Sequence, residues 1–159
     1  PHHPPLYYFE STADQEVVER SIRMVGMEPL AHRYMTELSG GEQQMGAIAQ
    51  ALCVEPQLLL LDEATAHLDI THTVRVLSLV RSLAKDPTHP LTILAVLHDL
   101  TMASEYCDYL VLMREGQVYA QGSPEEVLTE KHIGEVYRMP VSITAHPISG
   151  RPMVLPRMA

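Results

Sequence analysis

Two adjacent carboxylates, Asp62 and Glu63, follow the leucine run Leu58 to Leu61. Past the end of a strand, neighbouring side chains point in different directions. One carboxylate can hold Mg2+ directly or through water, because that ion takes oxygen ligands. The other can orient or deprotonate a water. A strand that simply runs out into solvent would carry the same pair. Upstream, Ser39-Gly40-Gly41-Glu42 opens a helical pattern. Free backbone N–H groups at such a start, with roughly half a positive charge from the helix dipole, form a site able to hold a terminal phosphate. The same residues also read as a plain Ser-x-x-Glu capping box. His98 stands just past a second apolar run, where a neutral imidazole can hydrogen-bond a phosphate and an attacking water. Asp69 caps a helix well without any further role. His2-His3 lacks a third ligand nearby and is read as a plain loop.

The elements that must position these residues follow from periodicity. Pro1 to Glu10 is an irregular, proline-rich lead-in. A capping box over Thr12 to Gln15, with Asp14 as a competing cap, starts an amphipathic helix over 13–25 marked by Val18, Ile22 and Val25. Pro29 to Tyr34 reads as a short helix. After Ser39, the residues Met45, Ile48, Ala49 and Leu52 mark the buried face of a helix that runs to about Val54. Gln57 to Leu61 is a continuous apolar run without alternation, which predicts a strand buried on both faces of a parallel sheet. A helix capped by Asp69 buries Val76, Leu77, Val80, Leu83 and Ala84 and ends at Asp86-Pro87. Leu91 to Leu97 predicts a second buried strand, and a helix follows from Leu100 to Tyr106. Tyr109 to Met113 and Gln117 to Ala120 predict a hairpin. Ser123-Pro124-Glu125-Glu126 is a strong helix start, Lys131 to Tyr137 a further short helix, and Pro140 to Ala159 a tail with short β-prone pieces. Strand, helix, strand, helix implies a right-handed βαβ unit in an α/β fold with a mostly parallel sheet. Ligands bind such sheets beyond the carboxyl ends of the strands. Asp62-Glu63 and His98 both sit at those ends.

Composition narrows the function classes. The chain has 159 residues, 46% hydrophobic and 19% charged, which is ordinary for one globular domain. A net charge of -9 with no Lys/Arg cluster argues against nucleic acid as a partner. Cys53 and Cys107 show neither metal-type spacing nor a disulfide framework, which fits a reducing cytoplasm. No apolar run approaches the roughly 20 residues of a bilayer span, and no signal peptide is visible. Direct membrane insertion is therefore not expected, and any membrane role comes through a partner. The start at Pro1 suggests a fragment, a processed product or a trimmed chain.

Taken together, Leu38-Ser39-Gly40-Gly41-Glu42-Gln43-Gln44, then Leu58 to Thr65, then Leu68-Asp69, then His98 resemble the ordered motifs of ATP-binding-cassette (ABC) ATPases. The resemblance implies ATP and Mg2+ as cofactors. It matches Ser39, Gly40, Gly41 and Glu42 to the signature that touches the γ-phosphate, Asp62 to the Walker B magnesium residue and Glu63 to the catalytic glutamate. Ala66-His67-Leu68-Asp69 matches the D-loop, and His98 the switch histidine. Pro1-His2, Val136-Tyr137, His146-Pro147, Gly150-Arg151-Pro152 and Pro156 are similar to one subgroup, the importer ATPases for iron–siderophore complexes, haem and cobalamin. Two residues depart from the family pattern: Met45 stands where Arg is usual, and Ala64 where Pro is usual.

One motif is missing from these residues. A phosphate-binding loop needs Gly-x-x-x-x-Gly-Lys-Ser/Thr. Neither of the two lysines, Lys85 and Lys131, follows a glycine or precedes Ser or Thr. By the resemblance, the chain is expected to be a partial P-loop-type nucleotide-binding domain, its C-terminal part, beginning just past the Q-loop. A helical signature subdomain is expected over 1–55, the Walker B and switch half of the core over 56–122, and C-terminal helices and tail over 123–159. Expected partners are a second ABC ATPase subunit and membrane permease subunits, the latter contacted near Pro1 to Glu10. The expected location is peripheral, at the cytoplasmic face of the cell membrane. The chain alone is expected not to hydrolyse ATP. Two other readings remain open: a non-catalytic module that binds or regulates an intact ABC ATPase, and the lobe of a chromosome-maintenance ATPase. The second lacks its long heptad coiled coil here.

Overall fold

The computed structural model describes residues 11–66, 68–89 and 91–157. The chain divides into two compact units, one of Pro1–Leu60 with His67–Leu94 and one of Leu61–Ala66 with Ala95–Ala159.

In the first unit, α1 (Thr12–Met24) starts at Ser11. The Ser11 Oγ accepts from the Asp14 N–H at 3.1 Å, and Asp14 Oδ2 accepts from the Ser11 N–H at 2.9 Å. The capping box thus lies one residue earlier than expected. Ser11, not Thr12, has the extended backbone a cap requires, and Asp14 is its partner rather than its competitor. Gly26 ends the helix at φ +68, a left-handed position open to glycine at no steric cost. Two 3-10 turns, Glu28–Leu30 and Met35–Glu37, replace the helix expected over Pro29 to Tyr34. Pro29 is the second residue of the first turn, and the extended backbone at Tyr34 keeps the two apart. Next, α2 (Gly40–Leu52) buries Met45, Ile48, Ala49 and Leu52, the face its periodicity predicts.

The strands β1 (Leu58–Asp62) and β2 (Thr92–Val96) pair, joined through α3 (Ile70–Ala84). The Thr92 N–H donates to the Gln57 carbonyl at 2.9 Å, so both strands leave from the same end and run in one direction. Burial corrects the expectation of strands covered on both faces. Leu59 and Leu61 are buried, whereas Leu58 and Leu60 are 52% and 63% exposed. On β2, Leu94 and Val96 are exposed. Successive strand residues face opposite sides, and only one side of β1 is covered among the described residues. On α3, Val76, Leu77, Val80 and Leu83 are buried as expected, while Ala84 in the last turn is exposed.

The second unit continues with α4 (Leu100–Tyr106) and the antiparallel hairpin of β3 (Leu110–Arg114) and β4 (Gln117–Gly122). Glu115 and Gly116 turn it at φ +52 and +79, the signs of a type I′ turn. Ser123 then caps α5 (Pro124–Val127) with the expected Pro124 and Glu126. The helix α6 (Glu130–Tyr137) follows. The β-prone tail forms a second antiparallel hairpin, β5 (Val141–Ala145) with β6 (Pro152–Pro156). The core of this unit is Leu112, Val127, Leu128, Ile133 and Val141, with Tyr119 and Val154 packed against it. Among the described residues no helix is long and apolar enough to cross a membrane.

Candidate functional site

The candidate residues fall into two groups, one per unit. In the first, Ser39 caps α2. Its Oγ accepts from the Glu42 N–H at 3.4 Å, while Glu42 Oε2 accepts from both the Ser39 N–H and its hydroxyl at 2.8 Å. Those two donors hold the Glu42 carboxyl below the usual carboxylate range, with smaller help from Arg33 and His72. The Gln43 N–H bonds the Ser39 carbonyl at 2.8 Å. Of the four N–H groups that a helix start leaves without intrahelical partners, Gly40 and Gly41 therefore carry the pair not absorbed by the cap. Just ahead of them, Gln43 Nε2 donates to the Met35 and Leu38 carbonyls at 3.1 and 3.0 Å, which fastens the approach to the turn. Sequence reasoning saw Gln43 only as part of a motif; its bonds back across five and eight residues became visible in the folded turn. Met45 is buried on the core face of α2.

Asp69 caps α3, accepting from the His72 N–H at 2.9 Å. The His72 Nδ1 lies 2.9 Å from both Asp69 carboxylate oxygens. These bonds, the backbone one first, hold Asp69 below the ordinary carboxylate range. A Cβ on Gly40 would meet Leu68 at 3.9 Å, so the residue before Asp69 also lies against the turn. His67 and residues 1–10, including His2-His3 and the expected permease contact, lie outside the described residues.

In the second group, Glu63 and His98 meet. His98 Nε2 lies 2.9 Å from Glu63 Oε1. Each follows the end of a strand, as the βαβ pattern requires. Glu63 is held at φ +48, a left-handed conformation uncommon for a residue with a side chain. Positions of this kind cluster where a side chain must be aimed. Asp62, the last residue of β1, is exposed. Among the described residues no cluster of three or more His, Cys, Asp or Glu could cage a metal. A lone carboxylate instead suits Mg2+, which keeps several waters and takes one or two carboxylates plus substrate phosphates. Chemically, the second group offers a carboxylate to accept a proton and an imidazole to hold it in place. The first offers two backbone donors at a helix start.

The family model described as ABC transporter matches residues 2–66. The petrobactin import ATP-binding protein FpuD of Bacillus anthracis is 41% identical over 92% of this chain and 53% of its own length. The ferric enterobactin transport ATP-binding protein FepC of Escherichia coli K12 is 37% identical over 97% of this chain and 56% of its own. The chain thus spans about half the length of the curated relatives it matches. Among solved structures, a metal-chelate-type ABC transporter in an inward-facing conformation superposes with a TM-score of 0.85 at 24% identity, over 96% of this chain and 61% of that one. The fold is therefore the α/β fold of ABC ATPases.

Proposed function

We propose that this chain, of ABC-transporter nucleotide-binding-domain type and closely related to the ATP-binding proteins of siderophore, haem and cobalamin import, belongs to an importer ATPase. In that role it couples ATP hydrolysis to uptake of an iron chelate, haem or cobalamin. The observation that carries the reading is the Glu63–His98 pair, 2.9 Å apart beyond the ends of two neighbouring strands. Glu63 accepts the proton of a water that attacks the γ-phosphorus, and the bond to the β-phosphate oxygen breaks with its electron pair leaving on ADP. His98 holds the Glu63 carboxylate and reaches the γ-phosphate. Asp62 is the residue that would hold Mg2+, which neutralises phosphate charge. Ser39, Gly40 and Gly41 act on a different nucleotide. Their donors close over an ATP held by a second ATPase subunit. Asp69 sets the start of α3 beside that turn. The helical part, residues 1–55, docks on the permease at the cytoplasmic face of the membrane.

A second reading has its own observation. The sequence GxxxxGK followed by Ser or Thr occurs nowhere in the 159 residues. A non-catalytic module that binds an intact ABC ATPase would need only the signature turn. One experiment separates the readings. The purified chain, alone and mixed with an intact ABC ATPase subunit of the same transporter, is assayed for phosphate release and for ATP-dependent association on a sizing column. The importer reading expects no turnover by the chain alone, ATP-dependent association through the Ser39-Gly40-Gly41 turn, and turnover that Glu63→Gln removes once a relative's phosphate-loop half is fused ahead of the chain. Association by a fused chain that gains no Glu63-dependent turnover supports the module. Turnover by the chain alone, with contaminants excluded, overturns the division of labour between the two groups.

A further inference from the structure

Gly41 is buried although it opens a helix whose neighbours Ser39 and Gly40 are exposed. What covers it is the His72 ring. A Cβ built on Gly41 would lie 2.0 Å from His72 Cδ2, 2.5 Å from Cγ and 3.0 Å from Cβ. The imidazole thus occupies the space that any side chain at 41 would take. It is held there from its other edge. Nδ1 sits 2.9 Å from both Asp69 oxygens. An ionised carboxylate only accepts, so Nδ1 carries the proton and donates. One side chain therefore touches the start of α2 and the cap of α3 at once. We infer that His72 is a positioning residue that locks the Ser39-Gly40-Gly41 turn to Asp69, so that the two donors and the α3 cap are presented as one rigid piece.

The consequence rests on the reading that this turn meets a triphosphate. Two helix starts held in register present their amides and dipoles together, and a donor displaced by about 1 Å from its working position loses much of its effect. The charged groups facing His72 are Asp69 on its own helix and Glu42 on α2, with Arg33 acting on Glu42 from the preceding segment. Both carboxyls are held below the ordinary range by the hydrogen bonds they accept.

The test needs no nucleotide and no partner. The 15N- and 13C-labelled chain is titrated across neutral and mildly acidic pH by NMR, following the His72 ring and the Gly40 and Gly41 amides. Both amides are expected to shift with the midpoint of the His72 ring. In His72→Asn, whose side-chain amide can donate to Asp69 as Nδ1 does, the titration of Gly41 is expected to vanish while the α3 cap stays protected from hydrogen exchange. In His72→Ala the Gly41 titration is also expected to vanish, while the backbone N–H at position 72 still caps on Asp69. Gly41→Ala is expected to expel the ring and separate the midpoints. A Gly41 amide that does not titrate, or keeps its midpoint in His72→Asn, overturns the inference. That failure would leave the association experiment untouched, and a failure to associate would leave this coupling standing.

Discussion

Glu63 concentrates the conflict between stability and chemistry. Its φ of +48 places a side-chain-bearing residue where glycine is favoured, at a cost of about 1–2 kcal/mol. Its pairing with His98 offsets little, because the side chains are 51% and 70% exposed and exposed pairs contribute at most about 1 kcal/mol. Glu63→Gly is accordingly expected to stabilise the folded chain by about 1 kcal/mol. In a chain of this size that raises the melting temperature by about 2–4 °C. Differential scanning calorimetry decides it: a lower melting temperature would show that the left-handed turn carries no strain. Sequence reasoning reached Glu63, Asp62 and His98 because a strand end is legible from an apolar run that stops at charge. It missed His72. The only local sign was a histidine three residues after a capping aspartate, and its second contact, Gly41, is distant in sequence.

The elements were most legible where caps and periodicity coincide. The helix α2 has both, and the four residues expected on its buried face are buried, with Gly41 added at its start. The strands were less legible, because leucines in a row do not show which side will be covered. The helix α4 shows how distant chain completes a short element. Asp99 caps its start, accepting from the Thr101 and Met102 N–H groups at 2.8 and 2.9 Å. Its end is held by Arg151 from the β5–β6 loop, whose Nη1 donates to the Ser104 carbonyl and, at 2.9 Å, to the Cys107 carbonyl. Seven residues make a marginal helix alone. Hydrogen bonds from a charged donor contribute about 1.5–3 kcal/mol. Arg151→Ala is therefore expected to destabilise the second unit by about 2 kcal/mol, with Arg151→Lys recovering part. Urea unfolding followed by hydrogen exchange at α4 amides measures this. Unchanged protection of Tyr106 and Cys107 would remove Arg151 from that role.

Each unit also leaves apolar surface open. The first exposes Leu58, Leu60 and Leu94 on neighbouring strands, and the second exposes Val111, Met113 and Val118 on its first hairpin, with Tyr109 just ahead of it. Contiguous exposed apolar strand surface invites pairing with another chain. The 159-residue chain is expected to self-associate with rising concentration, and Leu60→Lys with Leu94→Lys to reduce this. Sedimentation velocity checks it; a monomer at all concentrations would show that these faces are inert. By itself, the amino-acid order determined the α/β alternation, the helix starts and the carboxylates and histidine at the strand ends, because these depend on local period and on caps within four residues. Only the tertiary structure decided which faces of β1 and β2 are covered, that Glu63 turns left-handed to meet His98, and that His72 fills the space over the signature turn. Those outcomes depend on contacts between segments far apart in the chain, which periodicity does not encode. The Ser-Gly-Gly turn that sequence could read either as a plain cap or as an anion site is a cap in the folded chain, with two amides still to spare.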